Sequence, residues 1–400
     1  MNNRFGLRLG IVIIGFKNAE GITRLLSSLD NVIFGNDELY LIFSIDYSGD
    51  NTVKQIANNY KWVHGEKVIK AYEKNLGLKT HILKCGDYLE AYSLDAIMVL
   101  EDDIYLSPNA YSYMLNSVNY YKDDEKIAGI SLYKHEFNIN AKHPFVDYKD
   151  SNDVFFVQYA QSWGQIWLKE QWKAFKEWYI NEEWSALDSN NIPDNLKRWK
   201  NSWLKFHIMY CIAKNQFFVY PRVSLTTNFS DAGVHGSRQS TNMQVALDYI
   251  PNREWKFTRI DNSRSVYDAY FQNISVLKVI GKLSVLIDYY GVRKLTDQFD
   301  YLLTMKKYDY AVIKRWGLQL RPIEDNIFSD IEGEDIYLYD ISRKIRNKRR
   351  DWLLKAFEYD LKGMRIVNST NLKYCCLFVY NYIRNKVIQN KKKIKNNLLL

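Results

Sequence analysis

Proline is scarce, six in 400 residues, and glycine numbers only eighteen, which excludes a collagen-like or linker-dominated chain. Cysteine is scarcer still. Cys85, Cys211, Cys375 and Cys376 form no CxxC pair and no Cys/His metal spacing, so neither a disulfide framework nor a zinc module organises the fold. Reduced thiols and a cytoplasmic setting are the expectation. Long apolar runs are missing as well. The first, Leu9 to Phe16, holds eight residues with no small-residue cleavage site behind it, which reads as a strand rather than a secretory leader. No run approaches the ~18 uninterrupted apolar residues that a bilayer-spanning helix needs.

What is present describes a soluble globular protein, with 47% hydrophobic, 15% aromatic and 25% charged residues. The length predicts two domains, or one large domain with an appendage. The net charge of +9 is unevenly spread: residues 341–400 hold sixteen Lys/Arg against three Asp/Glu, a net of +13, which leaves −4 for the first 340. A mildly acidic body with a basic tail points to an anionic surface as the tail's partner, lipid headgroups before nucleic acid, because the charge is confined to one end and no helix-turn-helix, zinc or RNP signature accompanies it.

Apolar periodicity predicts alternating strands and helices. LGIVII (9–14) is a buried strand, 19–29 a helix, LYLIFSI (39–45) a second strand ending at Asp46, 52–60 a helix, 77–92 a long helix and AIMVL (96–100) another buried strand. Ser107 and Pro108 open a helix running to about Tyr121. Such alternation at short intervals predicts parallel βαβ units, an α/β fold with a mostly parallel, Rossmann-like sheet and helices on both faces. Seven of eleven tryptophans fall between 163 and 203. Beyond about 245 the chain reads as mainly helical, a C-terminal accessory region (246–400) ending in the basic tail.

The strand at 96–100 runs directly into Glu101, Asp102 and Asp103. Three adjacent acids repel one another, and a fold tolerates them when a cation or donor groups compensate. Hard ions such as Mg²⁺ or Mn²⁺ take oxygen ligands, and Mg²⁺ typically binds through one or two carboxylates plus substrate phosphates, which implies a diphosphate-bearing substrate. Ligands of open α/β sheets sit beyond the carboxyl ends of the strands, where Asp46 stands too. The bland alternatives are an acidic strand end and, for Asp46, a local turn.

The order of SIDYSGD, KNLGLKTHILKCGDY, VLEDDIYLSP, YAQSWGQIWLKEQW and VYPRVSLTTNFSDAGVHGS resembles GT-A glycosyltransferases over about residues 8–240, and among them the N-acetylglucosaminyltransferase I family, whose metal motif is likewise Glu-Asp-Asp. Bacterial polysaccharide glycosyltransferases share the arrangement. The resemblance implies a donor half (about 1–125), an acceptor half (about 126–245) and metal-dependent transfer of a sugar from a nucleotide-sugar, a UDP-sugar first, to a saccharide or lipid-linked oligosaccharide in surface polysaccharide synthesis. It also implies that Asp46 and Lys17 lie at the nucleotide, Glu101 and Asp102 at the donor sugar and ribose, Asp103 on the metal, and His235 over the diphosphate as a second metal ligand. Arg238, three residues on, suits a diphosphate clamp.

One element of that family is missing. Inverting transfer needs a carboxylate to take the acceptor's proton, but the matching segment here, Trp199 to Trp203, carries no acid. Asp231 is the first substitute and Asp194 the second; a retaining reaction is the alternative if neither reaches the acceptor. Trp163 and Trp203 are the tryptophans expected to reach acceptor sugars. Two rival functions stand beside this one: nucleotidyl transfer to sugar phosphates, for which GFKNAEG is a poor phosphate loop, and non-enzymatic nucleic-acid binding. A ten-residue apolar stretch, 374–383, between RKIRNKRR (343–350) and KKKIK (391–395) suits peripheral contact with the inner face of the cell membrane.

Overall fold

The apolar run that opens the chain becomes the middle of a sheet. β1 (Leu9–Gly15) is buried along its whole length and pairs in parallel with β2 (Tyr40–Ile45) and β4 (Ala96–Glu101), while β2 pairs in parallel with the edge strand β3 (Lys67–Ala71). The computed structural model describes residues 3–199, 202–229, 243–347 and 352–363, with isolated helical positions at 376, 379, 380, 383, 384 and 387. The chain divides into two compact units, Met1–Asn347 and Lys348–Leu400.

The chain then leaves the parallel half. β5 (Ile104–Leu106) steps out of the sheet, β6 (Ile127–Ser131) returns to it, and β7 (Phe137–Asn138) pairs only with β8 (His143–Pro144). β9 (Val154–Val157), β10 (Gln165–Leu168), β11 (Phe217–Pro221) and β13 (Val266–Tyr267) complete nine strands in the order β13-β9-β11-β6-β10-β4-β1-β2-β3, while β12 (Thr226–Asn228) pairs with β5. Five of the eight pairings in the large sheet are parallel, as the alternation of strands and helices predicts. Side chains alternate across it. Ile11, Ile13, Leu41, Phe43, Met98 and Leu100 pack beneath helices Ala19–Leu29 and Ala110–Tyr121. Val12, Ile14, Ile42, Ile97 and Val99 join Ile82, Trp172, Phe175 and Ile208 from the helices on the other face. Burial on both faces is what makes these strands read as unbroken apolar runs.

Three expectations give way. The helix expected over 77–92 is two, Leu78–Cys85 and Tyr88–Ala91, parted at Gly86. A Cβ on Gly86 would come within 1.9 Å of the Trp172 indole nitrogen, so close packing explains the glycine there. The region past 245 is not mainly helical: β14 (Val285–Ile287), β15 (Tyr301–Thr304), β16 (Tyr310–Trp316) and β17 (Ile336–Lys344) form a four-stranded sheet in the order β14-β15-β17-β16. YAVIKRW and IYLYDISRK are rich in tyrosine and β-branched residues, and such side chains favour a pleated surface over a helix. Finally, β13 pairs with β9, so the chain beyond 245 rejoins the large sheet and residues 246–347 share one compact unit with what precedes them. No described helix is long and apolar enough to cross a membrane.

Candidate functional site

Parallel register brings the predicted acids to one edge. Ile14 of β1 is opposite Glu101 of β4, and Gly15 is opposite Ile45 of β2. Glu101 and Asp46 thus leave the sheet at the same carboxyl edge with only β1 between them, about 10 Å apart across the sheet at the usual strand spacing. The Asp46 amide donates to the Gly15 carbonyl at 3.0 Å, which fixes that edge.

Glu101 is partly buried, and its carboxyl is pushed well above the ordinary range, first by loss of water and then by the Asp103 and Asp102 charges. Backbone contacts hold the triplet in place. A Cβ on Gly21 would lie 2.5 Å from the Asp102 carbonyl oxygen and 2.2 Å from Asn18 Nδ2, so the helix Ala19–Leu29 begins against Asp102 only because residue 21 is glycine. Asn18 Oδ1 caps that helix by accepting from the Gly21 amide at 2.9 Å. The Asp103 carbonyl accepts from the Phe229 amide at 3.0 Å, and Thr227, opposite Tyr105 in the β5–β12 ribbon, accepts from the Val245 amide at 2.9 Å. The chain on either side of 230–242 is therefore tied to the ribbon that begins at Asp103. Asp231, His235 and Arg238 themselves lie outside the described residues.

Asp46 has a structural task that reaches beyond the local turn expected of it. Its buried carboxylate accepts from the amides of Tyr47 (2.9 Å), Leu76 (2.8 Å) and Gly77 (3.1 Å), and so clamps the turn that opens the helix Leu78–Cys85. Gly77, at φ 75°, supplies the left-handed backbone that this turn needs. Behind it His81 is buried and bonded to Ser44 at 2.8 Å; burial lowers its pKa, partly opposed by the Asp46 charge. Lys17 is exposed, its ammonium 5.0 Å from the Phe16 ring and close enough to contribute, after the Thr52 hydrogen bonds, to the depressed pKa of Asp50.

The acceptor-side segment enters the sheet next to β4: β10 runs antiparallel to it with Gln165 opposite Val99, and the turn that precedes β10 bends at Ser162 to Gly164. The turn is held from several directions. Gln161 Oε1 accepts from the Ser162 (2.7 Å) and Trp163 (3.2 Å) amides, Gln161 Nε2 bonds buried His135 at 2.9 Å, and Thr226 Oγ1 donates to the Trp163 carbonyl at 2.6 Å. Burial drops the His135 pKa to about 3, so the ring is neutral and its Nε2 can accept the amide proton.

Other expected residues go elsewhere. Trp203 is 3% exposed and packs edge-on to Trp167 in the core, where its area is worth more than at a wet surface; it is not an acceptor platform. Trp163 is only partly buried. The Asp194 side chain is 78% exposed and paired with Lys197 at 2.7 Å. Asn18, Gly21, Arg24 and Phe229 went unnoticed in the sequence, the Arg24 guanidinium lying 4.0 Å over the Phe229 ring. A capping residue before a helical run was the available signal for Asn18; the other contacts exist only through the fold. Among the described residues no group of three or more His, Cys, Asp and Glu side chains is arranged to hold a metal ion.

No protein-family profile matches the chain, and no curated protein matches it significantly. Solved structures match in fold. Residues 1–349 of TarS from Staphylococcus aureus are 14% identical at a TM-score of 0.34, the match covering 55% of this chain and 60% of that one. The same protein in complex with UDP-GlcNAc gives 15% identity and a TM-score of 0.35 over 55% and 58%. The mannosyltransferase PcManGT of Pyrobaculum calidifontis, in complex with GDP-Man and Mn²⁺, is 13% identical at a TM-score of 0.29 over 41% and 45%. The chain spans less than two thirds of each of these structures, and the likeness is one of fold.

Proposed function

We propose that the chain is a GT-A-type glycosyltransferase that moves a sugar from a nucleotide-sugar donor, a UDP-sugar, to a saccharide or lipid-linked oligosaccharide acceptor in surface polysaccharide synthesis. The observation that carries this reading is Glu101-Asp102-Asp103 at the carboxyl end of β4, one strand away from Asp46 at the end of β2. That spacing suits a nucleoside diphosphate lying across β1, with the base toward Asp46 and the phosphates toward the triplet.

The donor set, hard carboxylate oxygens, fits Mn²⁺ or Mg²⁺. Such an ion, bound through Asp103 and the diphosphate, would neutralise charge building on the departing nucleotide. This chain's own residues would do the rest. Asp46 orients the base while clamping the Leu76–Gly77 turn, Glu101 and Asp102 hold the sugar and ribose, and Lys17, His235 and Arg238 steady the diphosphate. Asp231 is the proposed base, supported by its place two residues after Phe229, whose amide is bonded to the Asp103 carbonyl. Asp194 is the weaker choice, because its carboxylate is engaged with Lys197.

The test is a thermal-shift screen of UDP-sugars with and without Mn²⁺. Ion-dependent stabilisation that disappears in Asp103→Asn is expected; equal shifts in both proteins reject the site. Donor hydrolysis outpacing nucleoside-triphosphate turnover separates this activity from nucleotidyl transfer.

A further inference from the structure

The second unit carries apolar surface where a soluble helix would bury it. In the helix Trp352–Gly363, Leu353 is 57% and Phe357 55% exposed. One turn apart, they share a face. Further along, Val379, Tyr380, Ile383 and Val387 have helical backbone and are 47–60% exposed. Val379, Ile383 and Val387 follow one another at four-residue intervals, with Tyr380 next to the first, the spacing of a single helical face. Lys355 and Arg384 are exposed on these same segments. The surrounding sequence, residues 341–400, carries sixteen Lys/Arg against three Asp/Glu.

We infer that these two faces dock on an anionic lipid bilayer, Leu353, Phe357, Val379, Tyr380, Ile383 and Val387 entering the headgroup–acyl boundary while the lysines and arginines stay among the headgroups. The pairing of aliphatic and cationic surface decides for lipid. Apolar side chains half out of water gain from a lipid interface, and the positive charge gains from a negative leaflet within a Debye length. A nucleic acid would reward the charge and stack on aromatic rings, but it offers nothing to exposed leucine, isoleucine and valine. The apolar stretch at 374–383 was the sequence's pointer to such contact; the structure adds the helix at 352–363 and carries the second face on to Val387. The inference stands apart from the catalytic reading, because none of these residues belongs to the triplet's edge of the sheet.

The test is co-sedimentation of the full-length protein with phosphatidylcholine vesicles, with and without phosphatidylglycerol. Wild type is expected to bind only the phosphatidylglycerol vesicles and to release as salt is raised. Leu353→Glu/Phe357→Glu/Ile383→Glu/Val387→Glu should lower partitioning on the order of 100-fold, with an unchanged circular-dichroism spectrum. Lys391→Ala/Lys392→Ala/Lys393→Ala, which leaves both faces intact, should lower it on the order of tenfold. Equal binding of wild type and the glutamate variant overturns the inference, as does equal binding to neutral vesicles. Displacement of the vesicles by a single-stranded oligonucleotide would assign the surface to nucleic acid instead. A doubled mass in light scattering, without vesicle binding and reversed in the glutamate variant, would assign it to a second copy of the chain.

Discussion

Two groups of acid in this protein are built on opposite plans. Around Asp147 the fold brings Lys134 to 3.2 Å, Lys149 to 2.9 Å and Arg222 into direct contact. Burial alone would raise the Asp147 carboxyl, but the three cations outweigh it and hold the pKa below the ordinary value. At the end of β4 the neighbours of Glu101 are Asp102 and Asp103, and burial and charge both push its carboxyl upward. The buried Asp147 is held ionised by cations, whereas the Glu101 carboxyl is pressed toward its protonated form by its acidic neighbours, and perturbed acids of that kind cluster at functional sites.

The comparison can be broken by experiment, and the largest effect belongs to the completed cluster. Arg222→Met leaves the buried Asp147 short of its nearest cation and should cost about 3–5 kcal/mol of stability in urea unfolding; a loss near zero would show that the cluster is not built as described. Next comes Asp103→Asn. It should abolish Mn²⁺-dependent stabilisation by UDP and lower donor turnover at least ~100-fold, with little change in the urea midpoint of the ligand-free protein. Gly164→Ala, at φ 88° and with its Cβ 2.7 Å from Thr226 Cγ2, should lose about 1–3 kcal/mol and disturb the turn that leads into β10.

The pH dependence sharpens the contrast through its sign. Asp147 has a depressed folded pKa, so its contribution is present above the unfolded value, about 3.9, and is lost as pH falls toward the folded one. Glu101 has a raised folded pKa, so the folded state keeps a proton that the unfolded state has released. Its contribution is complete below about 4.5 and is lost as pH rises through the folded value. Stability of the ligand-free protein followed from acid to neutral pH should therefore show an acid-side loss that Asp147→Asn removes and a rising-pH loss that Glu101→Gln removes. The smallest effect is Glu101→Gln at neutral pH without metal, a gain of about 1 kcal/mol or less.

Much of the parallel half was legible in the residues. β1 and the helix Ala19–Leu29 fall where apolar periodicity sets them, because a strand buried on both faces and an amphipathic helix each write their environment into the local pattern. β3 was not legible. KVIKA mixes lysine with apolar residues because it is an edge strand, and Lys67 spends its charge on the carbonyls of Ala57, Asn58 and Tyr60. The helical reading past 245 missed β14–β17 because β14 and β15 are short and β16 and β17 mix tyrosine with charged residues, so little periodicity shows until their partners are known.

By itself the sequence determined the alternation of elements, the acids that end β2 and β4, and the concentration of positive charge in the last sixty residues, since each depends only on neighbours along the chain. Only the tertiary structure decided that β1 separates Glu101 from Asp46, that Gly21 must admit the Asp102 carbonyl, that Trp203 is core and that Asp194 is surface. Those outcomes turn on which strand pairs with which and on what packs against what, and such contacts join residues far apart in the chain.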